Sequence, residues 1–401
     1  MSRLGSGLNV LIGGLWLLHP TGSPESPPSP YYPGPGEEWA RRPPAEVGME
    51  AERVAEAVSF ALSNPSSFGP DLRAALEARL TEEPYGEILG PMKPRGAPNG
   101  MILRGGYIIA EWGDTRRVDM TFSVSKSFLS MLAGLAWDRG LIALDRPLAR
   151  SLDGTSAAEL FASPHNRPIT WRHLLTQTSE WEGTLWGKPD VADRRRGRDR
   201  SLRAPGTFWE YNDVRVNLTA LALLHVWGRP LPEVLAEHLM RPMDASESWE
   251  WHGYRNSWIL VNGRRVQSVS GGGHWGGGVW ISTRDQARFR YLLLREGRWR
   301  ERQLLSPEWV ARATRPSGLK PEYGYMMWLN TEERLWPGVS ERSFAALGGG
   351  TNAIWISPEE ELVVVVRWIE RSQLGELLRR VESAVVAPLP SGSGPDPEGT
   401  R

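Results

Sequence analysis

Cysteine is absent from the 401 residues, which excludes disulfides, thiolate zinc sites, a cysteine nucleophile and a cysteine-borne lipid anchor. Histidine is sparse at seven residues, and none falls in a His-Glu-x-x-His helix or another tight ligand spacing, so no metal site is expected. Neither sign of charge is in excess, since 47 basic residues balance 47 acidic ones, and no nucleic-acid partner held by phosphate contacts is expected. No Gly-x-Ser-x-Gly nucleophile elbow occurs. Glycine runs at 271–273, 276–278 and 348–350 lack the Lys-Ser/Thr of a phosphate loop and the spacing of a dinucleotide fingerprint, so no cofactor is expected. Hydrophobic runs are short: residues 8–18, preceded by Arg3, have signal-peptide length and would span a bilayer poorly, so no stable membrane span is expected.

Lysine is the scarcity that points somewhere. Lys93, Lys126, Lys188 and Lys320 are four of the 47 basic residues, leaving 43 arginines. In such a chain a position needing only positive charge would carry arginine, so a retained lysine suggests proton exchange that a guanidinium cannot perform. Lys126 closes Ser123-Val124-Ser125-Lys126, where the serine and lysine are three apart and share one helix face. That is the Ser-x-x-Lys arrangement of a serine nucleophile beside an amine. Phe128, Leu129, Met131, Leu132, Leu135 and Ala136 follow at helical spacing, which places Ser123 at or just before a helix N-terminus. The plain alternative is a capping serine with a lysine on the first turn. A second copy, Ser317-Gly318-Leu319-Lys320, lies between Pro316 and Pro321 and reads as loop.

Residues 1–36 read as a signal-like segment followed by a Pro/Ser/Gly linker, and the folded part as 37–387, with a frayed tail over 388–401. No small-x-small cleavage site follows the apolar run, which leaves export to the periplasm or cell exterior and a dispensable extension of a cytoplasmic protein as alternatives. Helical spacing over 47–62 is followed by a hairpin, 100–104 and 107–112, turned by Gly105-Gly106. Segments 218–226 and 231–240 are helical, 352–356 and 361–368 form a second strand pair, and 374–386 reads as a final helix. Strands at both ends with helices between predict an α+β fold: an antiparallel sheet built from both chain ends with flanking helices, and a mostly helical lobe inserted over about 125–300. The arginine-rich stretch 194–200, interleaved with Asp190 and Asp193, reads as a solvated loop. Twenty tryptophans are mainly core expectations, but Trp181, Trp186 and Trp275 stand in loops or beside glycines and are candidate walls of an apolar pocket.

Further landmarks come in order. Residues 169–179 are similar to "ITIRHLLTHTSG", with Gln177 in place of the second histidine. Pro205-Gly206-Thr207 through Tyr211 resembles "PGxxFxYSN", and residues 276–285 resemble "AGGLxSTxxD". Together with Ser-x-x-Lys these resemble the class C β-lactamase-like serine hydrolases, which include penicillin-binding-protein-type peptidases, class C β-lactamases, esterases and amidases of short linear amides. The resemblance covers roughly residues 40–387 and implies a β-lactamase/transpeptidase-like fold. His173 matches a landmark rather than a catalytic position. Two departures stand out: Tyr211-Asn212-Asp213 puts a carboxyl group where the family's Tyr-x-Asn has an amide, and the Lys-Thr-Gly triplet is absent, its strand beginning at Gly348-Gly349-Gly350. Loss of that triplet disfavours β-lactam turnover and favours an uncharged small ester or amide.

A free lysine titrates near 10.4, so roughly one in 2,500 is a neutral base at pH 7, and a nearby Asp213 would hold Lys126 protonated. The resemblance then implies Lys126 as a cationic stabiliser and Tyr211 as the group that exchanges the proton with the nucleophile Ser123. The amides of Ser123 and of Gly349 or Gly350 would hold the oxyanion, and His274 is the next candidate for the site, with a structural turn histidine as its alternative. The leading expectation is a serine hydrolase of a small-molecule ester or amide. The rivals are a D-alanyl peptidase or weak β-lactamase, and a catalytically inactive protein that binds acyl ligands. Oligomeric state is not read from the sequence.

Overall fold

The computed structural model describes residues 30–36 and 38–390. Helices α1 (Ala51–Ser63) and α2 (Leu72–Leu80) precede a hairpin of β1 (Asn99–Arg104) and β2 (Tyr107–Trp112). Gly105 and Gly106 turn it at φ 56° and 92°, a region that side chains resist. The first helix starts later than its apolar spacing predicts, because Gly48 at φ 71° ends a separate 3-10 turn (Pro44–Val47). Next come β3 (Asp119–Met120), a 3-10 turn (Phe122–Val124), α3 (Ser125–Asp138), α4 (Asp213–Trp227) and α5 (Leu231–Leu235), the last passing into a π turn (Ala236–Met240). β4 (Glu250–Val261), β5 (Arg264–Val269), β6 (Gly278–Ile281) and α6 (Thr283–Leu294) follow. The chain ends in β7 (Trp328–Leu329), β8 (Phe344–Gly348), β9 (Asn352–Ser357), β10 (Leu362–Arg367) and α7 (Leu374–Ser383).

The principal sheet is antiparallel in the order β7-β8-β9-β10-β1-β2, so both chain ends do build it. β10 pairs with β1 in the register Met101↔Val365. Val363 and Val365 enter one core with Phe289 and Leu292 of α6, while Val364 and Val366 enter the other with Ala57 of α1 and Leu377 of α7. Burial on both faces explains why this strand reads as an unbroken valine run. α3 is buried from Ser125 to Ala136, and each large apolar side chain it buries contributes about 1.5–3 kcal/mol.

The middle of the chain is less helical than expected. β3, β6, β4 and β5, in that order, form a four-stranded antiparallel sheet. Its hairpin turns at Asn262-Gly263, φ 51° and 78°, an Asn-Gly turn signal that the helical reading passed over. α6 belongs to the principal sheet rather than to the inserted lobe. Residues 31–36, expected as linker, dock on α6: Tyr291 Oη donates to Tyr31 O at 2.8 Å and Arg288 Nη2 to Gly34 O at 2.7 Å. At the other end Arg104 Nη2 donates to Ala387 O at 2.9 Å, and Leu389, expected in the tail, packs on the second core. The signal-like segment and residues 391–401 lie outside the described residues.

The 194–200 stretch is more than a solvated loop, because its arginines neutralise buried carboxylates. Arg194 pairs with Asp190 at 2.6 Å, Arg195 with Asp193 at 3.0 Å and Arg200 with Glu180 at 2.6 Å and also with Glu210. Burial works to raise the pKa of Glu180, but hydrogen bonds from Arg200 and the Arg203 amide, with the charge of Arg215, outweigh it and hold the carboxyl at about 2. The stability this contributes is present above the ordinary glutamate range and is lost as pH falls toward about 2. Thermal melts across that acid range are expected to show a shallower loss of Tm for Glu180→Gln than for the wild type, from a lower starting value.

Candidate active site

Ser123 is delivered by β3 through the 3-10 turn that runs into α3. The turn is tied to β6 at both ends: Thr121 Oγ1 donates to Val279 O at 2.7 Å, and Val279 N donates to Ser125 Oγ at 2.8 Å. Between them Phe122 takes φ 51°, a costly conformation for a bulky residue, with its ring edge-on to Phe68 at 5.8 Å. Three residues on, at the start of the helix, Lys126 Nζ donates to Ser123 Oγ and to Asp213 Oδ1, each at 2.8 Å. Lys126 and Asp213 are both buried. Asp213 opens α4, and Asn212 caps that helix by accepting from Val214 N and Arg215 N at 3.0 and 3.3 Å, which fixes the rotation that aims Asp213 inward.

Tyr211 lies over the same ammonium, with Lys126 Nζ 4.5 Å from its ring centroid and Arg195 Cζ 4.9 Å from it. Its ring stacks on Trp328 at 5.7 Å and meets the face or edge of Tyr323 at 6.1 Å. Burial works to lower the pKa of Lys126, but the Asp213 charge and then Tyr211 outweigh it, so the pKa is raised and the amine is an ammonium at neutral pH. Burial works to raise Asp213, but Lys126, His274 and Arg195 outweigh it and its pKa is lowered.

A second carboxylate backs the first. Asp213 N donates to Asp193 Oδ2 at 2.6 Å, and burial leaves Asp193 with a raised pKa despite His274 and Arg195 nearby. His274 Nε2 lies 2.9 Å from Glu83 Oε2 and 4.0 Å from Asp193 Oδ1. Burial works against its protonation, but Asp193 and Glu83 outweigh it and its pKa is raised. Asp193, Asp213 and His274 bring ligand atoms within 4.8 Å of one another. Lys126 and Arg195 already neutralise both carboxylates there and Glu83 engages the histidine, which leaves poor donors for a metal ion.

Gly272 closes the floor, and sequence reasoning missed it. A Cβ there would occupy the positions of Asp213 Oδ1 and Lys126 Nζ, and its carbonyl is 3.5 Å from Ser123 Oγ. The only available signal was its place in the 271–273 glycine run. The glycines across the cleft sit in a different register from the expected one. β8 ends at Gly348, where a Cβ would lie 3.3 Å from Ser123 N, and Gly349-Gly350-Thr351 is the turn into β9. Gly349 faces the Phe122 ring and lines the cleft; Gly350 turns away against Trp368 and Phe68.

These groups share a cleft of about 460 Å³ with Phe68, Leu76, Leu80, Trp209 and Trp328 as apolar walls and Arg79, Arg196 and Arg371 at its rim. The expected tryptophan walls are elsewhere. Trp181 is buried with Nε1 donating to Leu160 O at 2.8 Å, Trp186 packs against the main core, and Trp275 is buried beneath the Lys188 ammonium at 4.9 Å. Burial of indole area inside the lobe outweighs their loop positions. His173 completes a capping box with Thr170, each backbone amide 3.3 Å from the other's side chain.

The β-lactamase family model matches residues 114–368, well over half of the 401-residue chain. This chain belongs to the β-lactamase family. No curated protein matches it in sequence. Among solved structures, simvastatin synthase from Aspergillus terreus is 18% identical with a TM-score of 0.55, covering 84% of this chain and 99% of its own. An octameric penicillin-binding protein homologue from Pyrococcus abyssi is 16% identical with a TM-score of 0.53, covering 82% and 76%. A β-lactamase from Mycobacterium bovis is 21% identical with a TM-score of 0.51, covering 73% and 94%. At these identities the likeness is one of fold. This β-lactamase-family chain has no helix among its described residues long and apolar enough to cross a membrane.

Proposed function

We propose that this β-lactamase-family protein is a serine hydrolase that cleaves a small ester or amide through an acyl-serine intermediate. One observation carries the reading: a buried ammonium 2.8 Å from both Ser123 Oγ and Asp213 Oδ1, beneath the Tyr211 ring. Asp213 keeps Lys126 charged, so Lys126 is no base; Tyr211, whose ring lies against both the Lys126 and Arg195 cations, is the group that exchanges the proton with Ser123. Ser123 Oγ then attacks the carbonyl carbon. The negative oxygen is held by Ser123 N–H and the backbone at Gly348-Gly349, each such donor worth about 3–4 kcal/mol. Tyr211 returns the proton to the departing alkoxide or amine, and then activates the water that releases the acyl group from Ser123.

A fluorophosphonate probe is expected to label the wild type and not Ser123→Ala. Equal labelling of the two, or none of the wild type, would leave an acyl-binding protein without catalysis. Among substrates, a p-nitrophenyl acyl ester is expected to turn over faster than nitrocefin or a D-Ala-D-Ala peptide, since no Lys-Thr-Gly is present to hold a β-lactam carboxylate. A preference for nitrocefin would replace the ester and amide reading with β-lactam hydrolysis, and a preference for the peptide would make the protein a D-alanyl peptidase.

A further inference from the structure

Gly348, Asn352, Arg367 and Asn99 form one row straight across β8, β9, β10 and β1. Arg367 is fully buried, and burial lowers its pKa to about 10. Among the described residues its hydrogen bonds go to no carboxylate. Nη2 donates to Met120 O and Nη1 to Ile281 O, each at 2.7 Å, and Nε donates to Asn352 Oδ1 at 2.8 Å. A guanidinium only donates, so it decides which end of the Asn352 carboxamide faces it. The amide nitrogen is left to donate to Gly349 O, 2.7 Å away. Met120 stands three residues ahead of Ser123 on the strand that delivers it, and Gly349 follows Gly348, where a Cβ would run into Thr121 O and lie 3.3 Å from Ser123 N. One cation therefore ties the strand that delivers Ser123 to the Gly349 backbone.

We propose that Arg367, acting through Asn352, is a positioning residue that sets the spacing between the Ser123 amide and the Gly348-Gly349 backbone. It thereby supports the tetrahedral oxyanion rather than substrate binding. The inference rests on the hydrolase reading above. A donor misplaced by about 1 Å loses on the order of 10²-fold in rate, so the relay has a measurable consequence.

Asn352→Ala removes the relay and leaves both carbonyl bonds of Arg367 in place. Its kcat on a p-nitrophenyl ester, per mole of folded protein, is expected to fall on the order of 10²-fold with KM within about threefold, and its fluorophosphonate labelling rate to fall in parallel. A merely structural tie would lower Tm and leave those rates alone. Asn352→Ser retains one of the two bonds and is expected to fall between wild type and alanine; it carries the test should the alanine variant not fold. Wild-type kcat and labelling rate in the variant that folds, or a loss confined to KM, would overturn the relay and leave the hydrolase reading intact. Absence of label on the wild type would instead remove the parent reading, and the relay with it.

Discussion

Lys126→Met is expected to lose stability and acylation together, which separates Lys126 from a lysine that merely caps a helix. Removing the ammonium takes away the 2.8 Å partner of the buried Asp213 carboxylate, whose Oδ2 has Arg195 Nη2 no nearer than 3.7 Å. Breaking a buried pair in this way costs about 3–5 kcal/mol. Proton transfer from Ser123 loses its organising cation, so the fluorophosphonate labelling rate should drop on the order of 10²–10⁴-fold. Adding Asp213→Asn removes the stranded charge. The double variant should therefore regain most of the unfolding free energy measured in urea and none of the labelling rate. Lys126→Arg keeps the charge, but a planar guanidinium cannot reproduce the compact buried ammonium that meets Ser123 Oγ, Asp213 Oδ1 and the Tyr211 ring together, so activity should still fall while stability falls less than for methionine. An arginine variant with near-wild-type labelling would show that charge alone suffices at this position.

The second large effect runs the other way: Arg290→Met should raise stability. Arg290 is fully buried on α6, where Nε and Nη2 meet no partner among the described residues and Nη1 reaches only the Met327 sulfur at 3.8 Å. Burial lowers its pKa to about 9, with no acidic group acting to restore it. Methionine retains the unbranched stem and its packing beside Phe289 while removing the desolvated charge. Replacing buried charge with well-packed apolar atoms commonly stabilises by about 1–4 kcal/mol, which for a chain of this size is several degrees in Tm. Hydrolysis rates should not change, because Arg290 does not line the cleft. A drop in Tm would show that the guanidinium holds something the side-chain packing alone does not reveal.

How far the residues spoke for themselves depended on how local the determining contact was. Ser123 and Lys126 meet because three residues on a helix bring two side chains to one face, a relation the spacing states outright. The Gly105-Gly106 turn was legible for the same reason. Tyr211 and Asp213 were placed only by the ordered landmarks shared with a family. The rest depended on distance in sequence. Gly272 matters because Asp213 and Lys126 converge on it from two helices. Trp209 and Trp328, rather than Trp181, Trp186 or Trp275, wall the cleft because the loop ahead of α4 and strand β7 are brought together by the fold, which no single segment records. The misplaced glycine register followed from reading 348–350 as a strand start when strand β8 ends there and a turn begins. The basic stretch at 194–200 looked solvated because its partners Glu180 and Glu210 stand outside it, and one of them well upstream.

The pairing of β1 with β10 bears on when this protein can first work during its synthesis. A ribosome releases β1 first, and its open edge then waits for residues 362–367, far downstream, to emerge. Such long-range closure is slow and leaves the nascent chain open to aggregation. A translation product halted before residue 344 would already hold Ser123, Lys126 and Tyr211, but no strand opposite the serine. Holdase chaperones that shield the β1 edge would therefore be most needed in the interval before β10 arrives.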